Sequence, residues 1–126
     1  MVSEPEELFR LGCKAFNERD FYEAHEQWEQ LWTDHRLPDA DFIQGLIQLA
    51  VGCFHLTNAN LNGAKGLFTK CLPKLAPFEP AHRGLDVAGL VAFARQAREQ
   101  VERLSNADRF DWSQTPVLNI VSSVTG

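Results

Sequence analysis

The side chains best suited to chemistry lie in one stretch, Phe21 to Trp32. It contains His25 and Glu29, whose spacing of four residues places both on one face of a predicted helix. An imidazole and a carboxylate held together in this way can bind a divalent metal, transfer a proton or hydrogen-bond a small ligand. The order of residues differs from the HExxH helix of zinc proteases, because Glu29 stands where that motif has its second histidine.

A second predicted helix, at residues 39–57, carries a matching polar stripe. This helix is apolar in almost every other direction, which is typical of a helix in the middle of a bundle. Its polar residues fall within a narrow arc: Asp41, Gln44, Gln48 and His55. Because buried polar groups need hydrogen-bond partners, we expect this arc to face His25 and Glu29.

The two stripes together predict a site between the helices. We predict His25, Glu29 and His55 as its catalytic groups or, alternatively, as the ligands of a divalent metal cofactor. The predicted ligand-binding residues line the rest of the pocket: Glu26, Trp28, Trp32, Asp41, Gln44 and Gln48. On a helical wheel Trp28 and Trp32 lie on the buried face, while Glu26 points away from it.

Capping signals mark the helices that must position these residues. Ser3 with Glu6 and Asp20 with Glu23 are capping boxes, and Asp39, Asn60 and Asp86 open three further helices. We therefore predict an all-α fold of about five helices. Pro73 is expected to kink or end the fourth helix. The predicted fifth helix ends near residue 104, and a partly extended tail at about 107–126 follows, with frayed last residues.

An internal repeat of forty residues underlies this order. Leu11-Gly12-Cys13 aligns with Val51-Gly52-Cys53, and Trp28 aligns with Phe68. Helices one and two should therefore form one antiparallel hairpin, and helices three and four a second, related hairpin. The alternation of small and large residues resembles the tetratricopeptide hairpin, although the period is forty residues here.

Composition limits the class of protein. The chain has 126 residues and a formal net charge of -5, and we predict a single α-helical domain over residues 1–126. An acidic chain is poorly suited to nucleic acid or to anionic membranes, so we expect neither as a partner. The acidic N-terminus is not a signal peptide, and we expect a cytoplasmic protein whose three cysteines are buried thiols. His82, within a connection rich in proline, is expected to be solvated.

The motif around His25 resembles a known family. Ala24-His25-Glu26-x-x-Glu29-x-x-Trp32, followed by Phe42 to Ala50 and His55, is similar to a prokaryotic domain-of-unknown-function family, number 309. The resemblance spans about residues 8–104. It implies a small all-helical domain with shared polar positions: His25, Glu26, Glu29, Trp32, Gln44, Gln48 and His55. It implies no activity.

Two functions follow from these observations. The first is a site for a small molecule or a metal, with hydrolysis as one outcome. The second is a non-enzymatic helical-hairpin module that binds a protein partner or forms a homodimer. A His–Glu pair is also typical of a purely structural contact, and tryptophans are typical of a core. Convergence of His25, Glu29 and His55 in a closed cleft would favour the first function.

Overall fold

The computed structural model describes residues 4–120 of the chain, and these residues form five α-helices and one minimal hairpin of strands. The helices are α1 (Pro5–Asn17), α2 (Phe21–Asp34), α3 (Ala40–Thr57), α4 (Leu61–Leu75) and α5 (Val87–Arg103). The strands are β1 (Ala81–His82) and β2 (Leu85–Asp86), paired antiparallel. The predicted all-α class is confirmed. Among the described residues, no helix combines the length and apolarity needed to cross a membrane.

Each helix packs mainly against the next helix along the chain, from α1 through to α5. The links from α1 to α2 and from α3 to α4 are three residues long, so each pair forms an antiparallel hairpin. The third helix lies between α2 and α4, and this central position explains why it is apolar in most directions. The two predicted hairpins are therefore confirmed.

The forty-residue repeat extends to the geometry of the turns. The residues before the caps, Arg19 and Ala59, have φ angles of 59° and 60°. At the next position, Asp20 and Asn60 cap their helices, because each side-chain Oδ1 accepts a hydrogen bond from the backbone N–H three residues later. Both hairpins therefore use the same left-handed turn followed by the same kind of cap.

A glycine against a large aromatic ring sets the distance between the helices of each hairpin. A Cβ atom added at Gly12 would overlap the Trp28 indole, and one added at Gly52 would lie 2.8 Å from a Phe68 ring carbon. Trp28 is 0% exposed, and its Nε1–H donates to the backbone oxygen of Phe9 at 3.2 Å. Equivalent positions of the repeat thus make equivalent close contacts.

A clasp of Asp39, His82 and Arg83 ties the strand hairpin to the helices. Arg83 donates two hydrogen bonds to the buried Asp39 carboxylate, at 2.6 and 3.0 Å, and His82 Nε2 lies 2.8 Å from Asp39 Oδ2. The Arg83 guanidinium also lies 4.8 Å from the centre of the Phe9 ring. Asp39 stands at the start of α3 but does not cap it, because its carboxylate is used in the clasp. The expectation that His82 is solvated was wrong, because its imidazole contacts the Asp39 carboxylate.

The hairpin turn presents Arg83 to this carboxylate. Arg83 and Gly84 have φ angles of 51° and 76°, as a tight two-residue turn between antiparallel strands requires. Pro73 lies inside α4, which ends two residues later at Leu75. Ser3, the predicted first cap, lies outside the described residues, and Pro5 occupies the first turn of α1.

The tail crosses the end of the bundle where the first hairpin turns. Trp112 stacks on Phe21 with ring centres 5.5 Å apart. Asn17 exchanges two hydrogen bonds with the backbone of Leu118, which is buried. The described part of the tail therefore packs on the body through Trp112 and Leu118, while the last residues, predicted to be frayed, lie outside the described range.

The glycine contact predicts a difference between two identical substitutions. Gly12→Ala should lower the free energy of unfolding by about 1–3 kcal/mol, because the new methyl group overpacks the Trp28 indole. Gly66→Ala, where nothing lies within 4 Å of the added atom, should stabilise by less than about 1 kcal/mol through helix propensity. Urea unfolding followed by circular dichroism measures both. Equal changes in the free energy of unfolding for the two variants would contradict the close approach of the Trp28 indole to Gly12.

The clasp predicts a pH dependence of stability. Hydrogen bonds from Arg83 hold the pKa of Asp39 at about 2, below its ordinary value of 3.8. A depressed folded-state pKa stabilises the protein above pH 3.8, and this contribution is lost as the pH falls through 2. The wild type should therefore lose about 2 kcal/mol relative to Asp39→Asn between pH 5 and pH 2. Urea unfolding at each pH measures the free energy of unfolding of the two proteins. If the two free energies changed in parallel with pH, the clasp would be ruled out as the cause.

Candidate functional site

The predicted site corresponds to a groove between α2 and α3. Because the helices are antiparallel, the first turn of α2 lies beside the last turns of α3. The groove has two compartments. The Trp32 compartment, of about 200 Å³, is lined by Glu29, Trp32, Gln44, Ile47 and Gln48. The His25 compartment, of about 190 Å³, is lined by Tyr22, His25, Val51, Phe54 and His55.

Helical periodicity explains why these residues share a groove. On α2 the lining residues are spaced by three, four and three positions: Tyr22, His25, Glu29 and Trp32. On α3 they recur at similar intervals: Gln44, Ile47, Gln48, Val51, Phe54 and His55. Both sets therefore run along one side of their helix.

His25 and Glu29 are in direct contact at the border of the two compartments. His25 Nε2 lies 2.6 Å from Glu29 Oε2, in the range of a hydrogen bond. Glu26 is a more distant neighbour, with Oε1 at 3.9 Å from His25 Nδ1. The His25 side chain is 22% exposed, so the pair is open to solvent on one side. This contact fixes the imidazole beside the groove.

Tyr22 closes the outer end of the His25 compartment. Its ring is 5.7 Å from the imidazole of His25 and 5.5 Å from the ring of Phe54. A hydrogen bond with Glu26 and the negative charge of that residue raise the pKa of Tyr22 above its ordinary value. The Tyr22 hydroxyl is therefore a hydrogen-bond donor at neutral pH, and its ring supplies apolar surface.

Gln48 contributes an unusual group to the Trp32 compartment. Its Oε1 atom is buried and has no hydrogen-bond partner among residues 4–120. A buried acceptor without a partner costs on the order of 1–3 kcal/mol. Gln48 shares its compartment with the Glu29 carboxylate, so acceptor groups are concentrated there.

Three of the predicted ligand-binding residues lie outside both compartments, and a fourth is more exposed than expected. Trp28 lies in the core against Gly12, so it lines neither compartment. Trp32, predicted on the buried face, is 42% exposed, because none of the helices within residues 4–120 covers this side of the groove. Asp41 lies 3.4 Å from Lys74, which draws it towards α4. Glu26 points outward as the wheel predicted, onto a space of about 780 Å³ lined by α2 residues only, and one convex helix forms no cleft.

The three predicted metal ligands do not assemble. Among the described residues, no group of three or more His, Cys, Asp or Glu side chains is arranged to hold a metal ion. His55 lines the same compartment as His25, but its Nδ1 lies 3.3 Å from Asn60 Nδ2, the side chain that also caps α4. The cap thus holds this imidazole at the end of the second hairpin.

The cysteine thiols are unsuited to catalysis. Cys13, Cys53 and Cys71 are reduced and buried, as predicted. Burial raises the pKa of Cys13 and Cys71 to about 12, and that of Cys53 above its ordinary value. Each thiol therefore stays protonated at neutral pH, and only the thiolate is a strong nucleophile.

Charge is divided unevenly between the helices. The two helices of the groove contain no lysine or arginine, and their acidic residues are Glu23, Glu26, Glu29, Asp34 and Asp41. The next helix, α4, has the opposite character, with Lys65, Lys70 and Lys74 and no acidic residue. The groove therefore lies in a region of negative potential.

The sequence did not reveal the apolar residues that line the groove. Ile47 and Phe54 belong to the apolar directions of the predicted third helix, and both are half-buried at the walls of the groove. Their signal was their position, one residue before Gln48 and His55 in the polar stripe. Helical periodicity could not distinguish residues of the core from residues of the groove wall, because that distinction depends on which neighbouring helix covers the residue.

Fold and site together define an all-α protein of consecutive helical hairpins with a His–Glu groove between the second and third helices. Residues 9–67 match the model of the family described as a domain of unknown function, DUF309. The match includes both walls of the groove and confirms the resemblance seen in the sequence.

A relative in Bacillus subtilis (strain 168) carries no assigned activity either. The chain is 33% identical over 93 residues to a protein named "Uncharacterized protein YpuF". The alignment covers 69% of this chain and 52% of the relative, so the chain spans about half the length of the curated relative it matches.

The different surroundings of the two tryptophans predict losses of stability of different size when each is replaced by alanine. Trp28→Ala should lower the free energy of unfolding by about 3–5 kcal/mol, since it empties a core position. Trp32→Ala should change it by less than about 1 kcal/mol, because the ring lies at the open edge of the groove. Urea unfolding followed by circular dichroism compares them. A large loss for Trp32→Ala would mean that this ring belongs to the core.

Proposed function

We propose that the α2–α3 groove binds a cationic ligand, an amine or a guanidinium, in the Trp32 compartment. The observation that carries this proposal is the buried Gln48 Oε1 atom, which lacks a partner among residues 4–120. Gln48 lines the compartment, and a ligand that donates a hydrogen bond to its amide oxygen, once the side chain turns that atom towards the compartment, would remove the cost of leaving it unpaired.

The other walls of the compartment favour a positive charge on that donor. Glu29 supplies a carboxylate, and charge-assisted hydrogen bonds are stronger than neutral ones. The exposed ring of Trp32 can receive a cation on its face. Ammonium and guanidinium groups provide several donors and no acceptor, which suits a compartment rich in oxygen acceptors.

In this proposal His25 is a positioning residue. Its 2.6 Å contact holds one oxygen of the Glu29 carboxylate at the border of the compartments. The second oxygen of the same carboxylate is then oriented for a ligand. His25 therefore contributes to binding without touching the cation.

General acid–base catalysis is a second candidate, favoured by the same His25–Glu29 contact. The ten residues that line the compartments include no serine, threonine or cysteine, so the nucleophile of a hydrolysis would be water. Turnover of a cationic amide such as arginine amide, lost in His25→Ala, would favour catalysis. Binding without turnover would favour the ligand-binding function.

The cation site predicts which signals a small probe will shift. Titration of ¹⁵N-labelled protein with propylguanidinium should move the Gln48 side-chain amide and Trp32 indole resonances. The Trp28 indole, in the core, should not move. Glu29→Gln should weaken binding about tenfold, because it removes a charge-assisted hydrogen bond.

Glu23→Gln is the matched control for this experiment, since it makes the same change of charge on the same helix outside both compartments. It should keep the affinity within about twofold, because exposed charges are screened by solvent and salt. Absence of saturable shifts at millimolar propylguanidinium, or equal effects of the two variants, would rule out the cation site.

A further inference from the structure

We infer that the ligand is a segment of a partner protein, an amphipathic helix that uses both compartments. A basic side chain enters the Trp32 compartment, and an apolar side chain seven positions away enters the His25 compartment. This inference rests on the proposed cation site and adds the kind of molecule that delivers the cation.

The two compartments differ in chemistry, which calls for a ligand with two different ends. The Trp32 compartment places the oxygen acceptors of Glu29, Gln44 and Gln48 beside the apolar surfaces of Trp32 and Ile47. The other compartment is largely apolar, with the rings of Tyr22 and Phe54 and the side chain of Val51 at its walls. Tyr22 is 51% exposed, so an apolar group placed there would cover aromatic surface that now faces water.

The distance between the compartments matches the period of a helix. Glu29 follows Tyr22 by seven residues on α2, and His55 follows Gln48 by seven on α3. Seven residues of helix span about 10.5 Å, or close to two turns. A third helix laid along the groove repeats with the same period, so its residues at positions i and i+7 would face the two compartments in register.

Charge decides which kind of helix fits. Glu26 adjoins the groove at 3.9 Å from His25, and neither helix of the groove carries a lysine or arginine to balance its charge or that of Glu29. A partner helix with basic residues beside its contact stripe is attracted to this rim. A second copy of the same face would bring acidic rims together, so pairing of two copies through this groove is disfavoured.

Designed peptides test the register directly. An alanine- and glutamine-based helix of about 18 residues carries one arginine and one leucine seven positions apart, in either order. In the control peptide, of identical composition, the leucine is five positions from the arginine and so faces the other side of the helix. Fluorescence anisotropy of labelled peptides measures affinity. One order of the seven-spaced peptide should bind about tenfold more tightly than its control, because leucine then leaves water.

Protein variants separate this inference from the cation site. Tyr22→Ala should weaken binding of the seven-spaced peptide more than binding of propylguanidinium, while Glu29→Gln should weaken binding of both. Val117→Ala, which removes an exposed apolar side chain from the tail, is the control and should change neither. Equal binding of the seven- and five-spaced peptides would overturn the inference and leave the cation site standing, provided that propylguanidinium still shifts Gln48. If neither probe binds, both proposals fall.

Discussion

The close approach of a glycine to an aromatic ring inside each hairpin determines the rest of the architecture. Gly12 lets the Trp28 indole approach α1 closely, and Gly52 does the same for Phe68 and α3. These contacts fix both the distance between paired helices and the rotation of each helix about its axis. Once Trp28 points into the first hairpin, His25, Glu29 and Trp32 are turned to the side of α2 that borders α3. The groove is thus a consequence of how the hairpin is packed.

The position of α3 explains why the groove combines polar and apolar groups. A helix packed between α2 and α4 must be apolar on two sides, which leaves a narrow stripe for amides and an imidazole. The stripe is open because the described chain places no further helix over it. The clasp around Asp39 holds the beginning of α3 against α1, at the end of the bundle that carries the Trp32 compartment. Structural and candidate functional groups therefore occupy separate parts of the same helix.

Local signals predicted the helices well. Caps at Asp20, Asn60 and Asp86, together with apolar periodicity, were sufficient to place all five, and the repeat predicted the pairing of hairpins. The two tryptophans show where this reasoning ends. A helical wheel gives the direction of Trp32 but not whether another helix covers it. The clasp had no local signal at all, because Asp39 and Arg83 are 44 residues apart and meet only through the turn at Gly84. The predicted metal set failed similarly, since the wheel could not foresee that Asn60 would hold His55.

The tail has a consequence for the order in which the molecule forms. Contacts between consecutive helices are short in sequence, so each hairpin can form soon after its own residues are available. The hydrogen bonds between Asn17 and Leu118 join residues 101 positions apart. A first hairpin formed during synthesis therefore has Phe21 uncovered at its turn until the tail is made. Trp112, 91 positions after Phe21, covers that ring, so an early part of the chain is completed by a much later part.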